Sequence, residues 1–258
     1  MKLVTRVAAV ATVIGLAVAG CSSPDDASST SGTDGGKLVV FAAASLKKSF
    51  TEIGEQFKTD NPGSSIEFNF AGSSDLVTQL TQGAPGDVFA SADSKNMDKA
   101  AAADLLAGEA VNFASNSLTI VTAPGNPKKL TSFKDLTQPG LSVVVCAPQV
   151  PCGSAAETVE KATDVQLNPV SEESQVTDVL NKVTTGQADA GLVYVTDAQG
   201  AGDKVTAVPF PESADAVNTY PIAVLTQSKD PDLAGKFVDL VTGDGGQKVL
   251  SAAGFAEP

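Results

Sequence analysis

From Lys37 onward the apolar positions switch repeatedly between strand-like runs and helical spacing. LVVFAA, ending at Ala43, is a continuous apolar run and predicts a buried strand over Lys37–Ala43. Leu46, Phe50, Ile53 and Phe57 then recur at three- and four-residue intervals, which predicts a helix with Ser45 in its N-cap position. Asn61-Pro62-Gly63 ends it. Ile66, Phe68 and Phe70 alternate as a strand, and Gly72-Ser73-Ser74 turns into a helix carrying Leu76, Val77 and Leu80. Val88 to Ala90 reads as a strand, followed by a helix around Met97 to Leu106. Further strands are expected at Leu118–Val121, Val143–Val145, Ala190–Val195, Val205–Val208 and Ile222–Leu225. Helices are expected after Gly153, through Val176, Val179, Leu180 and Val183, and at Asp232–Val241 and Gly246–Ala253. Such alternation implies α/β layers with parallel strands, and the length suits two lobes better than one sheet. No internal repeat or heptad pattern is present.

The first 36 residues follow a different pattern. Met1 to Arg6 are basic, and Val7 to Ala19 are apolar apart from Thr12. That run is too short for an ordinary membrane span and reads as a secretory signal over residues 1–20. Its junction, Val18-Ala19-Gly20-Cys21, resembles a bacterial lipobox, in which Cys21 would carry the lipid. Residues 22–36 have no aliphatic side chain larger than Ala, so with Cys21 they are expected to form a flexible tether over 21–36. The folded part is then held at the outer face of the cytoplasmic membrane by its lipid alone.

Composition removes whole classes of chemistry. The chain has 258 residues, a formal charge of −13 and no His or Trp, and its one Arg is Arg6. Without the leader, 15 lysines face 30 carboxylates. Histidine general bases, histidine metal sites and arginine forks are therefore excluded from the mature chain. An excess of negative charge argues against nucleic acid, whose binding rests on neutralising phosphates. Cys146 and Cys152 lie six positions apart in C-A-P-Q-V-P-C, and in an exported protein a disulfide is expected. The competing reading is a redox or metal pair, but two thiolates without His or further Cys make a poor metal site.

Ligands of open α/β sheets sit at the carboxyl ends of strands, where helices begin. Four such turns stand out: Ala42 to Ser45, Ala71 to Ser74, Pro151 to Ser154, and Gln175-Val176. Helix starts carry unpaired N–H groups and the positive end of the dipole, so several together bind an anion without a cationic side chain. Each serine taken singly is better explained as a cap, and it is the set of small-residue helix starts in a chain without His or a second Arg that points to an anion site. Ser45-Leu46-Lys47-Lys48 also matches S-x-x-K of penicillin-recognising enzymes, but S-D-N and K-T-G are absent from the chain, and no G-x-S-x-G elbow occurs. No enzyme activity is expected.

VFAAASL, FAGSSDL, GAPGDVFASAD, SLTIV, AGLVYVTDA and TYPIAV occur in order between about Lys37 and Phe255. As an ordered set they resemble the molybdate-binding proteins of ABC importers. The resemblance implies a two-lobed type II periplasmic-binding-protein fold, with a cleft between α/β lobes and two crossover strands near Leu118 and Tyr220. Residues 37–117 plus 221–258 would form one lobe and 118–220 the other. It also implies a tetrahedral oxyanion held by neutral donors: the hydroxyls and amides of Ser45 and Ser73, the amides of Cys152 and Val176, and the phenol of Tyr194. On the residues alone, Tyr194 reads as an amphipathic core tyrosine, and its ligand role comes only from the resemblance. Gly72 departs from the family's commonly polar small residue, and the 146–152 loop is slightly short. The implied ligand is molybdate or tungstate, with sulfate or another tetrahedral oxyanion as the alternative. The implied partners are a permease and its ATPase; no cofactor and no metal cation site are expected, and the chain is expected to be a monomer.

Overall fold

A computed structural model describes residues 35–258. The expected leader, the expected lipid attachment at Cys21 and nearly all of the expected tether lie outside the described residues. The described residues form one compact unit. In chain order its strands are β1 (Lys37–Ala43), β2 (Ser65–Ala71), β3 (Val88–Ala90), β4 (Val111–Asn116), β5 (Leu118–Thr122), β6 (Val143–Cys146), β7 (Ser171–Glu173), β8 (Ala190–Tyr194), β9 (Thr206–Val208) and β10 (Asn218–Val224). The helices are α1 (Lys47–Asp60), α2 (Ser73–Thr81), α3 (Ser94–Ala102), α4 (Pro151–Thr163), α5 (Val176–Thr184), α6 (Val195–Ala201), α7 (Pro231–Thr242) and α8 (Asp244–Ala252).

The strands build two five-stranded sheets, in the orders β2-β1-β3-β10-β4 and β7-β6-β8-β5-β9. The chain passes from the first to the second between Asn116 and Leu118, and returns between Val208 and Asn218. Each sheet with its flanking helices is one lobe of a type II binding-protein fold. The expectation of parallel strands holds only for part of each sheet. β1 pairs in parallel with β2 and β3, and β6 with β7 and β8. The strands at the two crossings break the rule: β10 is antiparallel to β3 and β4, and β5 to β8 and β9. A strand that leads the chain between lobes has no crossover helix to return it to the same end, so it can run against its neighbours.

The two cores differ in kind. In the first lobe Leu46, Phe50, Ile53 and Phe57 of the helical stripe are fully buried. Phe50 and Phe57 meet Phe237 of α7 edge-on at 5.8 and 5.5 Å. The second core is dominated by valine, with Val144, Val159, Val179 and Val193 buried. Burying such side chains contributes about 1.5–3 kcal/mol each, the main source of stability in both lobes. β4 was not expected from the pattern, because its first two residues are exposed and its buried end, Ala114-Ser115-Asn116, is small or polar. β7, at the edge of its sheet, is polar throughout.

Candidate functional site

The parallel pairings bring the predicted turns together. Ala43 lies opposite Ala71 and Ala42 opposite Ala90, so β1, β2 and β3 end level with one another. In the second sheet Cys146 lies opposite Glu173 and Val144 opposite Gly191, which aligns the ends of β6, β7 and β8. Each of these ends leads into a helix start, and the two edges face each other across the cleft. Ser45, Ser73, Cys152, Val176 and Tyr194 all line one cavity there, together with Ala92 and Gly72. No carboxylate or ammonium side chain lines it. Its volume is about 10 Å³, the space for about one water.

Neither serine serves as a cap. Ser45 lies inside a 3-10 turn, Ala44–Leu46, and Leu46 caps α1. Gly72 caps α2 and Ser73 is its first residue; neither helix start has a side-chain cap bond. The hydroxyls are used otherwise. Ser73 Oγ accepts the Ala92 N–H at 2.9 Å, which leaves its own proton free to be donated. Ser45 Oγ lies 3.1 Å from Tyr220 Oη. With Tyr220 as donor, the Ser45 proton is likewise free for the cavity. Lys48 makes no hydrogen bond to Ser45, so the S-x-x-K match has no counterpart in the geometry.

On the facing lobe, a disulfide joins Cys146 at the end of β6 to Cys152 in the first turn of α4. Pro151 opens that helix, so Cys152 offers its first N–H. The loop closes tightly: a Cβ on Gly153 would lie 2.0 Å from the Ala147 carbonyl oxygen. Val176 is the first residue of α5, and its amide has no intrahelical partner. Tyr194 is 1% exposed, and its hydroxyl makes no hydrogen bond of normal length; the polar group it faces is the Tyr220 phenol, with ring centroids 6.0 Å apart. A buried hydroxyl without a partner costs about 1–3 kcal/mol, and such orphans are uncommon in folded chains.

Three residues near the cavity were not singled out from sequence as site residues. Tyr220 backs Ser45, and burial, first of all, raises its pKa and that of Tyr194, so both phenols stay protonated. Ala92 supplies the amide that orients Ser73; its strand-to-helix turn in FASAD has the same small-residue signature as the others. Asp197 accepts the Tyr194 N–H at 3.1 Å, and burial pushes its carboxyl up to about 7. Gly72 acquires a physical reason: a Cβ there would lie 2.1 Å from the Ser174 carbonyl oxygen of the other lobe. The lobes touch where only a glycine fits. Asn116 Nδ2 also donates across to Thr196 Oγ1 at 2.8 Å.

Among the described residues no group of three or more His, Cys, Asp or Glu could hold a metal ion, and no helix is long and apolar enough to cross a membrane. The family model for bacterial extracellular solute-binding proteins matches residues 38–256. The chain is 60% identical over 248 residues to the molybdate-binding protein ModA of Mycobacterium tuberculosis, covering 95% of this chain and 94% of the relative. Among solved structures, the periplasmic molybdate-binding protein of Azotobacter vinelandii aligns with a TM-score of 0.73 at 22% identity, over 86% of this chain and 99% of that one. The sulfate-binding protein SubI of M. tuberculosis aligns with a TM-score of 0.71 at 19% identity, over 86% of each chain. At those identities the two structures speak for the fold alone. With nearly every described residue inside the family model, and a relative of 60% identity spanning almost the whole chain, this protein belongs to the bacterial extracellular solute-binding proteins.

Proposed function

We propose that this chain captures molybdate, and tungstate with it, between its two lobes and delivers it to an ABC permease and its ATPase. The observation that carries the reading is the partnerless hydroxyl of Tyr194, buried at a cavity lined otherwise by serine hydroxyls, helix-start amides and small residues. An oxyanion would complete that hydroxyl's hydrogen bonding and accept from Ser45, Ser73 and the amides of Cys152 and Val176. Hydrogen bonds to a charged partner contribute roughly 1.5–3 kcal/mol each, so five or six offset ordering and desolvation and leave a Kd between about micromolar and nanomolar. A site of donors alone accepts a fully ionised oxyanion and disfavours protonated phosphate, whose O–H needs an acceptor. In this reading the protein binds and releases its ligand without catalysis and without a cofactor.

A tetrahedral four-oxygen anion is larger than the cavity volume, so it is admitted only when the lobes part slightly. In this reading residues 37–117 plus 221–258 move as one lobe and 118–220 as the other, and bound ligand favours the closed state that the permease recognises. The tightness of the cavity favours one second reading, sulfate, the smaller dianion. Export by the leader and anchoring through a lipid on Cys21 complete the proposal, with the protein working as a monomer; mass measurement of the N-terminal peptide tests the lipid.

Melting temperature with excess molybdate, tungstate, sulfate and phosphate separates the readings. Ligand at about 100 times its Kd adds roughly 2.7 kcal/mol of stability. Stabilisation by molybdate and tungstate is the expected result. A shift with sulfate alone moves the protein to the second reading, and no shift with any of the four removes the oxyanion site.

A further inference from the structure

Beside the oxyanion cavity lies a larger recess of about 550 Å³, and the two share Ala44 and Ser45. Lys47 and Lys48 line it from the first lobe, Lys204 from the second, and the single acidic side chain on its wall is the buried Asp197. Lys48 extends across the cleft, its Cδ 4.0 Å from where a Cβ on Gly200 would stand. The other recess at the cleft, which shares Pro151 with the cavity, has the reverse balance, with Lys95 against Asp93 and Asp215. The five ion pairs of the described residues use Lys37, Lys58, Lys128, Lys161 and Lys182, so Lys47, Lys48 and Lys204 are exposed and free of carboxylates.

The placement of Lys47 and Lys48 has no structural reward. They are the first two residues of α1, which has no acidic residue in its first turn. The helix dipole disfavours cations there. α2, α5, α7 and α8 all carry an aspartate in that turn. A dianion approaching a chain of net charge −13 meets repulsion over most of the surface. Exposed charges are screened beyond about 8 Å at physiological salt, so only charges beside the entrance act strongly on it. A cleft lined by one sign of charge concentrates counter-ions and raises association rates by about tenfold or more.

We propose that Lys47, Lys48 and Lys204 form the entrance by which tetrahedral dianions reach the cavity, acting on the rate of capture without contacting the bound ligand. This rests on the oxyanion reading above. Tyr194 and Tyr220 are the chain's only tyrosines, with no Trp, and both lie at the cleft, so their fluorescence reports capture in stopped flow. The purified protein is mixed with molybdate at low and high salt, and compared with K47Q/K48Q/K204Q and with K134Q/K229Q/K248Q, which removes the same charge from exposed positions elsewhere. The expected result is an association rate reduced about fivefold to tenfold in the first variant at low salt. It should show no such loss at high salt, an unchanged dissociation rate, and little change in the second variant. Equal slowing in both variants, no slowing in either, or slowing that persists at high salt overturns the proposal. If the parent protein binds no molybdate at equilibrium, the functional reading fails first and takes this one with it.

Discussion

The two lobes bring donors to the same cavity, but they hold them by different means. In the first lobe the hydroxyls are oriented by hydrogen bonds: Ser73 accepts from Ala92, and Ser45 sits against Tyr220. Behind them is a core of interlocking phenylalanines. In the second lobe the Cys152 turn is tied down covalently by the disulfide, and the Tyr194 hydroxyl has no partner. Its core is built of smaller aliphatic residues. The hydroxyls of the first lobe are thus held by partners within the protein, whereas the second lobe carries a buried hydroxyl without a hydrogen bond of normal length, which in the proposed function the ligand would complete. Substitutions on the two sides should separate in whether they cost stability, affinity or both.

The largest effect is expected where the lobes meet. Gly72→Ala puts a methyl group 2.1 Å from the Ser174 carbonyl oxygen of the facing lobe, a clash that parting the lobes would relieve. Overpacking costs about 1–3 kcal/mol, so titration calorimetry should show molybdate binding weakened roughly tenfold to a hundredfold, with the ligand-free melting temperature little changed. Ser73→Ala removes a proposed donor to the ligand and also strands the buried Ala92 N–H. It should lower both affinity, by about tenfold or more, and ligand-free stability, by about 1–3 kcal/mol in urea titration.

On the facing lobe, Cys146→Ser with Cys152→Ser opens a short loop and should cost about 2 kcal/mol of stability, with a smaller loss of affinity as the Cys152 amide loosens. Tyr194→Phe should behave in the opposite way to Ser73→Ala. It should lose about tenfold in affinity while the ligand-free protein melts no lower, because an unpartnered buried hydroxyl has been removed. If Tyr194→Phe and Ser73→Ala destabilise the ligand-free protein equally, the contrast between the lobes is wrong.

The remaining effect is a change of slope with pH. Burial holds the Asp197 carboxyl at about 7 in the folded chain, above its ordinary value of 3.8, with the Tyr194 and Tyr220 phenols beside it protonated throughout. The folded state thus keeps a proton that the unfolded state has released. This contribution to stability is fully present below about pH 4 and is lost as pH rises through 7. Its slope cannot exceed ~1.4 kcal/mol per pH unit. Asp197→Asn keeps an acceptor for the Tyr194 amide and should flatten that part of the stability profile.

How far the sequence reached depended on whether an element's cause was local. The stripe Leu46-Phe50-Ile53-Phe57 and the run LVVFAA name their helix and strand because each buries its own side chains. β4 and β7 were invisible because their neighbours define them: β4 is paired by β10 along its length, and β7 is an edge strand lying on β6. The helix after Met97 was expected to reach Leu106 but stops at Ala102; Leu106 bridges to Leu225 instead. Ser45 resembled a cap, yet a 3-10 turn carries it past the cap position to face Tyr220, which is 175 residues away in the chain.

By itself, then, the sequence determined the donor inventory. A chain with no His and its one Arg at position 6, with small residues and serines at its strand ends, offers an anion at those ends backbone amides and hydroxyls. It also determined the α/β rhythm, since each period is written in neighbouring residues. Only the tertiary structure decided which hydroxyls are free to donate, that Tyr194 makes no hydrogen bond of normal length, that Gly72 is a close contact between lobes, and that three lysines without an ion-pair partner share one recess. Those properties depend on what lies across the cleft, and residues far apart in the chain become neighbours only once both sheets have formed.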